Sequence, residues 1–248
     1  MRIALTVEYD GTRYSGSQIQ KRVPTIQSEL ENAVAKVTGE PVRAMFAGRT
    51  DQGVHAKGQV VAFDTRSSIV METMIRALNY YLPYDIAVKE AREVSDDFDP
   101  RRDALSREYC YYILNETTRS PLHRHYHLLV RRPIEVEAMD KACRVLIGTH
   151  DFMSFAGAVE EGKSTIRTVY NAKAQREGAM VTCHIEANAF LPHQMRHTVG
   201  ALLKVGLKES DISAFCEIFN SNKPATAGPA VPPRGLCLLK VNYSGDVR

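Results

Sequence analysis

At 248 residues the chain holds one large domain or two modest ones, and it is long enough to bury a core without disulfides or a structural metal. Apolar residues at 44% and charged residues at 25% exclude a disordered, collagenous or membrane-embedded chain. A formal net charge of +3 is too small by itself to imply a nucleic-acid partner.

In chain order, Ile3, Leu5, Val7 and Tyr9 alternate with Ala4, Thr6 and Glu8, a strand stopped at Asp10-Gly11. Thr25 is a good N-cap for a helix whose apolar residues Ile26, Leu30, Ala33, Val34 and Val37 recur at helical spacing until Gly39 and Pro41. Residues 42–47 and 59–65 read as strands around a glycine-rich loop. A helix over 71–82 and a strand over 86–91 complete a β-α-β-β-α-β order, the split ferredoxin-like arrangement. The second half predicts strands at 107–115 and 127–132, then a helix at 137–147. A hairpin at 166–176 and 179–187 follows, then helices over 192–206, with Pro192 in the first turn, and 211–220. A last strand covers 236–243.

The fold class is therefore α+β, with two similar halves, 1–104 and 105–248, antiparallel sheets and helices on one face. If the two sheets join edge to edge, the helix-free face becomes a platform suited to RNA. Residues 1–104 carry 14 basic against 15 acidic groups, whereas 105–248 carry 18 against 14. Within 100–132, seven arginines, three histidines and four tyrosines interleave, a pattern that suits phosphate contacts and base stacking. A solvated face with core tyrosines is the plain alternative.

Glu8 and Asp10 interrupt any apolar signal-peptide region, and no run approaches the roughly 18 apolar residues of a spanning helix. Five scattered cysteines with no C-x-x-C pair read as reduced, mostly buried thiols, so a cytoplasmic protein without a membrane anchor is expected. His193 and His197 stand four apart on a helix, but no H-E-x-x-H pattern or third ligand accompanies them.

The most unusual segment is the loop Gly48-Arg49-Thr50-Asp51-Gln52-Gly53-Val54-His55-Ala56, which places a guanidinium, a carboxylate and an imidazole within seven residues. Taken alone it also fits a hairpin in which Asp51 makes an Asx-turn, Arg49 is solvated and His55 orders the loop. It is not a phosphate-binding loop, since no G-x-x-x-x-G-K-[ST] occurs.

With its surroundings the loop resembles the TruA family of tRNA pseudouridine synthases. The likeness rests on YDGT at 9–12, AGRTDxGVHAxGQ at 47–59, FDPR at 98–101, SREYCYYI at 106–113, HDFxSF at 150–155, AFLxxxxR at 189–196 and PPRGLCLLKVNY at 232–243. The resemblance implies isomerisation of uridine to pseudouridine in the anticodon stem-loop of tRNA, at positions 38 to 40, by a homodimer that needs neither metal nor organic cofactor. It implies Asp51 as the catalytic residue and Arg49 as the group that fills the space left by a flipped nucleotide. Tyr109 would lie against the extruded uracil, Arg196 would pair with the Asp51 carboxylate, and Leu236 and Leu238 would wall the pocket.

These residue types suit the reaction. A free Asp titrates near 3.9, burial under RNA would raise that value, and a guanidinium partner would hold the carboxylate ionised. Arg196 in the first turns of a helix, where the dipole disfavours a cation, is better explained by a nearby anion. Attack at C1′, addition to C6 and base action at C2′ all use one carboxylate and stay open. Two rivals remain: an RNA-binding module of the same fold that has lost catalysis, and a nucleoside hydrolase. The second generally requires two nearby carboxylates, and this loop has one. The chain departs from the family's pattern at Ser17, where tryptophan is usual, which puts the packing of that segment in doubt. It departs again at Pro100-Arg101-Arg102-Asp103 and across 156–165.

Overall fold

The computed structural model describes residues 1–224 and 226–245. The chain forms two compact units, one of Met1–Leu105 with the segment from Cys237 onward, the other of Ser106–Leu236.

The first unit opens with β1 (Arg2–Tyr9), whose Ile3, Leu5, Val7 and Tyr9 are all buried. Helix α1 (Ile26–Thr38) begins at a capping box: Thr25 Oγ1 accepts from Ser28 N–H, and Ser28 Oγ accepts from Thr25 N–H. It buries Ile26, Leu30, Ala33 and Val34 and ends at Gly39. Strand β2 is only Met45–Phe46. The six-residue strand expected over 42–47 is shortened because α1 captures its backbone: Ala44 N–H donates to Glu31 Oε1 and Ala44 C=O accepts from Gln27 Nε2. Strand β3 (His55–Asp64) starts four residues earlier than expected, at His55. Helix α2 (Met71–Tyr81) buries Met74 and Leu78, and β4 (Ile86–Val94) follows.

Antiparallel pairs β1–β3 and β1–β4 put β1 in the middle, and β2 lies on the outer side of β3 at Val61 and Ala62. This is the split β-α-β-β-α-β arrangement expected for this part of the chain. Ala4 and Ala62, on the face opposite Ile3 and Leu5, are covered by Val94 and Phe98 with Met45 and Tyr243.

The second unit contains β5 (Ala104–Asn115), which begins just before the boundary, and β6 (Leu128–Val130), which pairs with β5 in parallel. Helix α3 (Val136–Arg144) precedes β7 (Gly148–Asp151), β8 (Ile166–Glu177) and β9 (Met180–Ala187). The antiparallel order is β5-β9-β8-β7. Strand β7 was not foreseen, because GTHD is short, polar and lacks alternation. Helices α4 (Gln194–Gly206) and α5 (Ile212–Asn220) pack with α3, and Phe152, Phe155, Phe215 and Phe219 cluster with ring centroids 5.3–5.7 Å apart. Helix α4 starts at Gln194, not at Pro192. His193 occupies its N-cap with φ 58°, a left-handed turn that places the proline outside the first turn.

The last strand, β10 (Leu236–Tyr243), was assigned by chain order to the C-terminal half. Cys237 and Leu238 instead pair in parallel with His55 and Ala56 of β3, within the first unit. The approach is close: a Cβ at Gly58 would lie 2.5 Å from Leu239 O, so only glycine fits there. Long-range pairing of this kind leaves no local trace in a sequence. Among the described residues, no helix is long and apolar enough to cross a membrane.

Candidate active site

The loop between β2 and β3 is clamped from several sides. Ser17 is fully buried; its N–H donates to Thr50 O at 3.0 Å, and its Oγ accepts from Thr50 N–H at 2.9 Å. Gly16 makes this approach possible, since its φ is +98° and a Cβ there would meet Thr50 O at 2.9 Å. Thr50 Oγ1 and the Tyr9 hydroxyl are 2.8 Å apart, and Gln59 Nε2 donates to Gly48 O at 2.8 Å. The amide orientation of Gln59 follows from that bond, because the reverse would set two oxygens together. Its Oε1 is buried without a described partner, a cost of roughly 1–3 kcal/mol within the clamp. Burial raises the Tyr9 phenol to about 12, against the opposing hydrogen bonds from Thr50 and Gln59.

His55 is buried at the start of β3. Its Nδ1 accepts from Gly11 N–H at 3.1 Å and lies 3.1 Å from Asp10 Oδ1, so it fastens the turn after β1 to the base of the loop. That is the loop-ordering role the sequence suggests. Between these fixed points Asp51 is half-buried and accepts Val54 N–H on its carbonyl at 3.1 Å, while Arg49 and Gln52 are exposed. The clamp thus holds the backbone on both sides of a half-buried Asp51 and an exposed Arg49.

Of the other site residues expected from the sequence, Tyr109, Arg196 and Leu236 lie in the second unit and Leu238 in the first. Tyr109 stands on β5 opposite Ile185 of β9, largely buried, with its ring edge-on to Phe190 at 4.9 Å. Phe190 lies inside the AFLxxxxR motif, yet nothing in its spacing marked it as the residue that sets the Tyr109 ring.

Arg196 is the third residue of α4. Its Nε donates to Val231 O at 2.9 Å, and its carbonyl accepts from Val231 N–H at 3.2 Å. His197 Nδ1 lies 2.8 Å from Gly228 O, so the start of α4 is tied down by the segment 228–231. A backbone carbonyl thus accounts for part of a cation placed against the helix dipole. Leu236 is buried at the start of β10, and Leu238 is fully buried beside Ala56.

The arginine-tyrosine stripe is not one surface. Tyr111 is fully buried and Arg107 nearly so, its Nη1 on Asn188 O at 2.8 Å. Arg119, Arg124, Arg131 and Arg132 are exposed. The core-tyrosine alternative therefore holds for Tyr111. His193 and His197 rings are 6.3 Å apart, and among the described residues no group of three or more His, Cys, Asp or Glu is placed to hold a metal.

The sequence matches the family described as tRNA pseudouridine synthase over residues 5–102 and 142–244. It is 42% identical to tRNA pseudouridine synthase A of Myxococcus xanthus over 98% of this chain and 92% of that one. Against the protein of the same name from Syntrophomonas wolfei it is 40% identical, over 99% and 98% of the two chains. The chain belongs to the tRNA pseudouridine synthase family. The family match includes the Asp51 loop, Arg196 and β10, and it leaves out residues 103–141, where Tyr109 lies. Of the residues that fix the loop, Tyr9 and Ser17 are distant from it in sequence, while Gln59 follows it closely on β3. Tyr9 belongs to YDGT at 9–12 and Gln59 closes AGRTDxGVHAxGQ at 47–59, but neither motif marks them as the residues that hold the loop.

Proposed function

We propose that this chain isomerises uridine to pseudouridine in tRNA, with Asp51 as the catalytic residue and the anticodon stem-loop, at positions 38 to 40, as its target. The observation that carries this reading is a single half-buried carboxylate presented by a loop whose neighbouring backbone is pinned by Ser17, Tyr9 and Gln59. Such pinning suits a group that must meet a reacting carbon within a fraction of an ångström.

The reaction breaks the N1–C1′ bond, turns the ring and joins C5 to C1′; C5 loses a proton and N1 gains one. Nothing is oxidised and no group is imported. The nucleotide must leave the stack, at a cost of about a few kcal/mol, before its glycosidic bond can be reached. An exposed Arg49, flat and cationic, suits the gap it leaves, and a Tyr109 ring offers stacking of roughly 1–3 kcal/mol. Pairing of Arg196 with the Asp51 carboxylate belongs to the same proposal, as do a wall formed by Leu236, a cytoplasmic location and a homodimeric state. Sedimentation checks the last of these. Nothing in the site favours a binding module that has lost catalysis, since a pure binder gains nothing from an anionic residue facing RNA phosphates.

The deciding experiment incubates an anticodon stem-loop with the protein and maps pseudouridines. Modification at one or more of positions 38 to 40 is expected. Binding without modification, or release of free uracil, would overturn the reading.

A further inference from the structure

A second feature of the second unit, separate from the residues assigned to the uridine, is a hollow of about 260 Å³ lined by Leu114, Arg119, His123, Arg124, His127 and Arg234, with Ser120 and Leu129 completing it. Three guanidiniums and two imidazoles converge there, and no carboxylate lines it. The histidine rings are stacked edge to face at 4.8 Å, and His127 in turn meets Tyr112 at 5.6 Å. Arg124 Nη1 is held by Pro121 O at 2.7 Å, a neutral carbonyl that orients the guanidinium without cancelling its charge, and Arg234 Nε donates to His127 O at 3.2 Å. Neither Arg119 nor Arg124 is ion-paired among the described residues. Like charges gathered round one hollow repel each other, and an anion seated among them relieves that repulsion.

We propose that this hollow binds a phosphate of the tRNA backbone together with its adjoining nucleoside, as an anchoring site apart from the uridine being modified. The size suits one unit of a polymer, since it falls below the roughly 300 Å³ at which sites for drug-sized ligands begin. The chemistry argues for the same ligand: arginines supply bidentate phosphate contacts, while the imidazole pair and the two leucines offer flat, apolar area for a sugar or base. The inference rests on tRNA being the substrate.

The test compares tRNA binding by fluorescence anisotropy across a salt series for the wild type, for the double substitution Arg119→Ala with Arg124→Ala, and for a charge-matched control, Arg66→Ala with Arg76→Ala. All four residues are exposed, so the fold should tolerate their removal. The hollow variant should bind about 10-fold more weakly and lose about 1 from the slope of log affinity against log salt, with the control near wild type. Equal slopes in all three proteins, or an equal loss in the control, would overturn the proposal. So would stabilisation of the wild type by inorganic phosphate that the double variant lacks, if tRNA binding were unchanged, since that would mark a free-anion site. Pseudouridine formation by the wild type is measured in the same samples. Its absence would count against the proposed reaction, while the salt slopes would still judge the hollow.

Discussion

Ser17 and Thr50 hold each other by two hydrogen bonds, one from each backbone amide, with Asp51 the next residue along the chain. Here the Ser17 hydroxyl satisfies the buried amide of Thr50. Ser17→Ala removes that acceptor and should cost about 1–3 kcal/mol of stability, read by chemical denaturation. The loosened loop should also lower kcat about 10-fold with little change in tRNA affinity. A variant with wild-type kcat would show that the bond serves stability alone. Ser17→Trp, overfilling a fully buried position, should destabilise by about 1–3 kcal/mol or more.

Asp51→Asn should abolish turnover and leave tRNA affinity within several-fold, because phosphate contacts dominate affinity. Single-turnover assays and anisotropy on the same preparation check this. Loss of binding as well as turnover would make Asp51 a structural residue.

For Tyr109, hydroxyl and ring can be separated. Tyr109→Phe keeps the edge-on contact with Phe190, and unchanged product formation would show that the hydroxyl moves no proton. Tyr109→Leu should weaken binding of the flipped base by roughly 1–3 kcal/mol, seen as a lower kcat/KM.

The Tyr9 phenol, pushed up to about 12 by burial, sets an alkaline limit. A group whose folded value is raised stabilises the fold fully below its unfolded value, near 10, and loses that contribution as pH climbs toward 12. Denaturation midpoints should therefore fall across pH 10 to 12. Tyr9→Phe should start lower at neutral pH, having lost its partner on Thr50, and then fall less steeply. Burial also raises Tyr14, beside Asp85, and Tyr111, so some decline should persist in that variant.

The thiols should react unequally. Cys110, Cys143, Cys183 and Cys237 are buried, with burial raising Cys143 to about 12 and Cys183 well above its usual value, while Cys216 on α5 is half-exposed. Titration with a thiol reagent should show one fast site and four that respond only on unfolding. More than one fast thiol in native protein would contradict this packing.

Local grammar made the helices legible. Thr25 and Gly39 bracket α1 because caps and apolar spacing are local properties, and the β-α-β-β-α-β order of the first unit followed from them. Residue 44 shows the limit: its backbone is taken by Glu31 and Gln27 of a helix, which strand propensity cannot anticipate. At the site, the charged loop was legible from its motif, but its fastening was not. Tyr9, Ser17 and Gln59 lie 11 to 41 residues from the groups they hold and are ordinary in composition, so only the folded register brings them there. His193 shows a third kind of miss, in which a proline that looks like a helix start is displaced by one left-handed residue.

The pairing of β10 with the first residues of β3 has a consequence for biosynthesis. The strand that leaves the Asp51 loop acquires its neighbour at Cys237 and Leu238 only after the intervening stretch of about 180 residues has been synthesised. A nascent chain can build α1, β1 and β4 early, yet the first residues of β3, beyond the reach of β2, stay open on that side and exposed to mispairing until β10 is made.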